Sequence, residues 1–493
     1  MLKFTGHPFL DVGVAAITAY AQKRRPEDVT QEDLGKVAAY IEQNYVIPPL
    51  SSTLTMSLPN SGFTQPAFDI TKKRAYARVV SQGFMENALN NSEQCIFTGD
   101  PALQIPLALK DDIPSGRVFR QHVPLLSGEG TINFFPEGAA GLPISGEALL
   151  SFQFMTMGCA KCGGRLLAVH SENIDMTVQF AESFLQNNLK AILKAQEFHQ
   201  DKMEGSLHSP KTLLIDTLCE IERNRRETNN EQNTAFSITA YYFTNSGQGP
   251  ELAIYHLPMN IMSFVLHLQT VTYKAAWEVI VQRSWQLEKN SKNQPANIGA
   301  NHKTKTNYLY EDLFQLENPA QWGRFIRTYF LRIPMRYKNQ TDPRRDYNLQ
   351  EELSLVSWQL VELFLRKVVF MDTTRIAQIS ALGDQLATYV RKQGGKRWFR
   401  EFFTVNRPDF LRTQLIKANL DNIRSGQTSL FDMNGYIEVF EEGVDIARPD
   451  WRLARDLVLM RMIDQLQDWL PQNRDAIPDT SSENFSETET AEQ

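Results

Sequence analysis

The sequence is short of cysteine, of long apolar runs and of net charge. Only four cysteines occur in 493 residues, too few for a disulfide framework. Two of them form Cys159-Ala-Lys-Cys162, a spacing used for metal or redox chemistry in reducing compartments. No stretch approaches the ~18 uninterrupted apolar residues that span a bilayer. The run after Phe9 is broken by Asp11 and followed by Lys23, Arg24 and Arg25, with neither a basic leader nor a convincing cleavage site. The expectation is a soluble, cytoplasmic protein with no membrane partner. A formal net charge of -6 means that a nucleic-acid partner must be met by local basic patches, because the global field does not steer it.

Enzyme signatures are missing too. There is no phosphate-binding Gly-x-x-x-x-Gly-Lys-Ser/Thr, no nucleophile elbow and no His-Glu-x-x-His. His7, in Thr5-Gly6-His7-Pro8, stands alone beside a helix start. These absences predict a non-catalytic protein.

What is present reads as α+β. Hydrophobic residues at 42% and charged residues at 22% are ordinary globular values, and the length exceeds what one core supports, so several domains are expected. Helices are predicted over about 8–22 and 30–45, the second opened by Thr30 and Asp33 in a capping-box pattern. From Pro48 to about Gly164 the chain is rich in Pro, Gly, Ser and Asn and predicts an irregular, loop-heavy β region, with a short strand over 131–135. A strand at 165–169, a helix over 180–198 and a hairpin over 235–257 follow. Beyond 348 the apolar spacing turns helical. The expected division is therefore an N-terminal α+β domain (1–348), a C-terminal helical bundle (349–471) and an acidic tail (472–493). From Asp475 onward the tail has six acidic residues and no Lys or Arg, which predicts disorder.

Four places offer chemistry. Glycines flank Cys159 and Cys162 as in a zinc knuckle. A structural zinc wants four ligands, which Cys95 and either His170 or His122 would complete, although Thr98 stands where a second Cys-x-x-Cys would place its thiolate. A metal-free knuckle kept for its turn geometry is the other reading. The segment Asn60-Ser61-Gly62-Phe63-Thr64-Gln65-Pro66 is polar and stiffened by Pro59 and Pro66. Asn and Gln pair bidentately with adenine edges, and Ser and Thr bond bases or phosphates; the plain alternative is a surface turn. Lys72, Lys73 and Arg74 follow, with phosphates or solvent as their partners. Finally, Arg324 to Arg345 and Arg391, Lys392, Lys396, Arg397 and Arg400 alternate with aromatics, a texture that suits single-stranded nucleic acid or an amphipathic helix whose aromatics are core.

Several stretches taken together carry a resemblance. Phe4 to Gly13, Asn60 to Pro66, Ile132 to Pro136 with Gly141 to Gly146, and Gly158 through Ser171 resemble the large subunit of type I CRISPR surveillance complexes (Cascade), in the I-B and MYXAN-like branch. The match covers roughly the first 171 residues. It implies an N-terminal part that contacts the 5′ handle of a guide crRNA and reads the protospacer-adjacent motif of target double-stranded DNA, and a bundle beside the displaced strand. It also implies Cascade backbone and small subunits as partners, with an effector nuclease-helicase or a transposition adaptor downstream. Relatives often carry Cys-x-x-Cys at both knuckle positions, so Thr98 is a departure. The resemblance further implies that Met371 can start a separate small subunit; the plain alternative is an apolar residue at a helix junction. The rival reading is a stand-alone metal-dependent nuclease using the Cys and His residues.

Overall fold

The computed structural model describes residues 2–85, 93–107, 113, 115–128, 140–227, 236–245, 249–287, 305–336, 340–393, 395–442 and 446–480. The predicted strand over 131–135, residues 288–304 and the tail beyond Thr480 lie outside them. The protein is mixed α+β, mostly helical with small antiparallel sheets. Two compact units divide between Met262 and Ser263.

The first unit is built around α1 (Pro8–Tyr20). Pro8 occupies its first turn, where a missing N–H costs nothing, and the His7 imidazole accepts from Leu10 N at its start. Val12, Ala15, Ala16 and Ile17 are all fully buried, so this helix is buried on every side and forms a central core element. In α2 (Gln31–Asn44) the capping box is present, Thr30 accepting from Asp33 N while Asp33 accepts from Thr30 N.

Where loops and β structure were expected, the chain forms α3 (Leu50–Thr53), α4 (Ile70–Ser81), the short strands β1 (Arg117–Val118) and β2 (Leu142–Pro143), and α5 (Gly146–Phe154). Local caps explain the two longer helices. Asp69 accepts from Lys72 N at 2.8 Å and Ser145 from Ala148 N at 3.4 Å, each satisfying a first-turn donor. Nearly every residue of α5 is buried, which leaves no polar stripe to betray it.

A four-stranded antiparallel sheet follows, in spatial order β3 (Ala160–Cys162), β4 (Arg165–Ser171), β5 (Ile238–Thr244) and β6 (Glu251–Leu257). Two helices, α6 (Ile174–Glu197) and α7 (Pro210–Glu227), connect β4 to β5. Phe9 of α1 packs on Phe243 and Tyr241, with ring centroids 4.7 and 5.8 Å away.

Helix α8 (Met259–Leu268) runs across the division. The second unit is helical: α9 (Val271–Gln282), α10 (Tyr308–Leu313), α11 (Ala320–Phe325), α12 (Trp358–Phe364), α13 (Thr373–Gln393), α14 (Lys396–Phe403), α15 (Pro408–Arg424), α16 (Met433–Phe440) and α17 (Trp451–Gln465). The helices expected from 349 onward all fall here. Met371 sits between Phe370, which is left-handed at φ 54°, and Asp372, whose carboxylate accepts from Thr374 N and Arg375 N at the head of α13.

Candidate nucleic-acid interface

The loop between residues 57 and 66 is pinned from below. Phe63 is fully buried, 5.5 Å from the Tyr45 ring and 5.0 Å from the Tyr76 ring of α4. A Cβ on Gly62 would fall 2.2 Å from Tyr76 Cγ, so only glycine lets the loop lie this close to the helix. On the upstream side Asn245 holds the chain, donating to Ser57 O at 2.9 Å while its own carbonyl groups accept from Arg120. Behind Tyr76 lies His122, its ring stacked at 22° and its Nδ1 accepting from Phe119 N at 3.3 Å. Burial pushes the His122 imidazole down to about 4, so it is neutral here.

On top of this platform Asn60 is exposed and left-handed at φ 61°, a conformation asparagine tolerates. Gln65 reaches back to donate to Asn60 O at 3.1 Å, and the Thr64 hydroxyl donates to Ser61 O. Ser61, proposed from sequence as a base or phosphate contact, is fully buried, and its hydroxyl has no hydrogen-bond partner among the described residues. It supports the turn instead of presenting a group to solvent. On α4 Lys72 and Arg74 are exposed and Lys73 is half-buried, and none pairs with an acid among the described residues. Arg78, one turn on, is held by Glu42 at 2.6 Å.

Cys95, Cys159 and Cys162 are all buried and free of disulfides. Gly163 and Gly164, at φ 54° and 80°, form the two-residue turn between β3 and β4 that pairs Cys162 with Arg165, and left-handed values at both positions are what such a hairpin demands. Burial pushes the Cys159 thiol far above its ordinary pKa; the Cys162 thiol donates to His208 O at 3.0 Å. Cys95 is buried in the apolar core. His170 faces Asp11, Nε2 to Oδ2 at 3.0 Å. Among the described residues no group of three His, Cys, Asp or Glu is placed to hold a metal.

The basic stretches split. Arg332 is fully buried, its Nε on Glu352 at 2.9 Å and its guanidinium 3.5 Å over the Tyr347 ring, and Arg344 pairs with Asp342 and Asp312. Phe325, Tyr329 and Phe330 are core, so the aromatics and two of the arginines of this stretch are internal, whereas Arg324, Arg336 and Arg345 are exposed; Lys338 lies outside the described residues. Around α14, Trp398, Phe399, Phe402 and Phe403 are likewise buried and form no stacking surface. The cations there do face solvent. Arg391 pairs with Asp468, Lys396 with Asp475 and Arg397 with Glu401, while Lys392 and Arg400 are exposed with no acidic partner among the described residues.

Two features escaped the sequence reading. Asp11 is buried and accepts from Thr5 N at 2.8 Å, Gly6 N at 2.9 Å and the Thr5 hydroxyl, besides facing His170. It ties the N-terminal segment to β4. A carboxylate inside an otherwise apolar helix was the available signal, because buried charge requires partners. The second feature is a polar groove of about 670 Å³ where the end of α1 meets α6, with Gln22, Arg24, Arg25, Gln179 and Gln186 in its walls.

No protein family, curated protein or solved structure matches this chain.

Proposed function

We propose that the protein is a non-catalytic large subunit of an RNA-guided DNA surveillance complex of the type I CRISPR kind, reading the protospacer-adjacent motif and steadying the opened target. In such a complex base pairing reads the long target, and protein reads only a short duplex motif. One observation carries the reading: a turn with the exposed carboxamide of Asn60 is fixed, through Gly62 and Phe63, to the helix that bears Lys72, Lys73 and Arg74. Amides suited to base edges thus sit beside cations suited to phosphates, and a rigid mount keeps them in register. Gln65 takes part once its amide leaves Asn60 O.

Lys392 and Arg400 support a sequence-blind role on single-stranded DNA. Arg24 and Arg25, in the polar groove, offer cations to the guide's 5′ handle. Backbone and small subunits, and an effector nuclease-helicase or a transposition adaptor, are the partners this reading requires. The rival metal-dependent nuclease draws no support from the described residues, where Cys162 bonds His208 O, His170 faces Asp11 and no group of three ligating side chains comes together. The reading is tested by target binding of the assembled complex across motif variants. Replacing Asn60 and Gln65 by Ala should cost about 1–3 kcal/mol per lost bidentate contact and relax discrimination; an unchanged motif preference would place the readout elsewhere.

A further inference from the structure

Acidic side chains from the end of the chain already line the exposed cations of α13 and α14. Asp468 holds Arg391 at 2.6 Å and Asp475 holds Lys396 at 3.1 Å. The backbone beyond Asp475 is then anchored, Ile477 being buried and its carbonyl accepting from Gln350. Thr480 is the last described residue. The next thirteen, 481–493, contain four glutamates (Glu483, Glu487, Glu489, Glu492) and no Lys or Arg. Extended, they reach about 43 Å, whereas Lys396 and Arg400 are one helical turn apart, about 6 Å. Within that reach Lys392 and Arg400 are exposed with no acidic partner among the described residues, and the Arg397 side chain is 94% exposed.

We propose that the acidic segment 481–493 docks on the cationic face formed by the end of α13 and by α14, continuing the row of acids begun by Asp468 and Asp475, and there competes with nucleic-acid phosphates. Single exposed ion pairs are weak, but a tether supplies an effective concentration in the millimolar range. Such a contact gives way to a longer polyanion and is screened by salt. The face would then engage only strands that outbid the segment, which suppresses stray binding. The competition rests on the nucleic-acid reading above; the docking does not.

Docking is tested on the whole chain with a water-soluble carbodiimide, which joins a carboxylate to a touching amine with loss of water. Cross-links from 481–493 should concentrate on Lys392 and Lys396, and vanish in about 1 M salt, where the screening length falls to about 3 Å. Links spread evenly over the lysines of the chain, or none, overturn the docking. Competition is tested with a thirty-nucleotide oligothymidine. A chain ending at Thr480 should bind it several-fold more tightly than the whole chain at low salt, and that gain should disappear in a Lys392→Ala, Arg400→Ala background. Equal binding by the two lengths overturns the competition. Cross-links on Lys392 with no oligothymidine binding by either length would keep the docking and refute the nucleic-acid role of this face.

Discussion

Gly62 and Tyr76 are in direct contact: the ring of Tyr76 fills the space a side chain at 62 would need, with Cγ 2.2 Å from where its Cβ would stand. Backbone of the proposed reading loop and ring of the proposed phosphate-binding helix are therefore one packed object. The mount is dry and aromatic, with Tyr45 and Phe63 continuing it inward.

Gly62→Ala should break that contact. Forcing a methyl into a filled site costs about 1–3 kcal/mol, so the first unit should melt earlier. Tyr76→Leu removes the ring that seats the loop and leaves a void beside Phe63 and His122; the expected result is some loss of stability together with blurred motif discrimination. Thermal melts and binding across motif variants measure the two effects separately. Unchanged discrimination in Tyr76→Leu would mean that the loop does not depend on its mount.

Acid should loosen the same mount. The folded His122 sits at about 4, below the ordinary histidine value of about 6.5. A depressed folded value means that the stabilisation is fully present above about pH 6.5 and drains away as pH falls toward about 4, by up to about 1.4 kcal/mol per unit. His7 pulls in the same direction, since burial lowers its imidazole further than the Asp11 carboxylate raises it. His122→Asn keeps an acceptor for Phe119 N and should flatten, without abolishing, the loss between pH 6.5 and 4. An identical pH profile for variant and parent would show that His122 does not titrate in this window.

Removing the exposed cations of the second unit should act without regard to sequence. With Lys392 and Arg400 both changed to Ala, single-strand binding should weaken on every sequence, and the slope of log affinity against log salt should shrink by about 1.4, or 0.7 per lost phosphate contact. Motif preference should stay as it was. A changed preference with an unchanged slope would assign these residues to base reading.

Much of the architecture was legible because it repeats at helical or strand period. The capping box at Thr30 and Asp33, the α1 core, the strands β4 to β6 and the long helices of the second unit all announce themselves by local pattern. Failures arose where one pattern serves two structures. Arg and Phe alternating around α14 is equally the signature of an amphipathic helix, and Phe399 and Phe402 are in fact its buried stripe. Glycines after Cys162 suit a metal knuckle or a tight hairpin turn, and the register of β3 with β4 shows the turn without deciding whether a metal joins it. Ser61 looked like a surface turn residue because composition does not say which side of a turn faces inward. The Asp11 and His170 pair joins residues 159 positions apart, and no local spacing encodes such a contact.

The central claim is that this chain works inside a guide-loaded complex. Affinity purification from native cells, followed by sequencing of the co-purifying RNA and mass analysis of the proteins, tests it most directly. The account predicts RNA of uniform length with a shared 5′ end, together with a backbone subunit present in several copies. Recovery of the chain alone, with no RNA, or guide-independent cleavage by the highly purified chain, would contradict it.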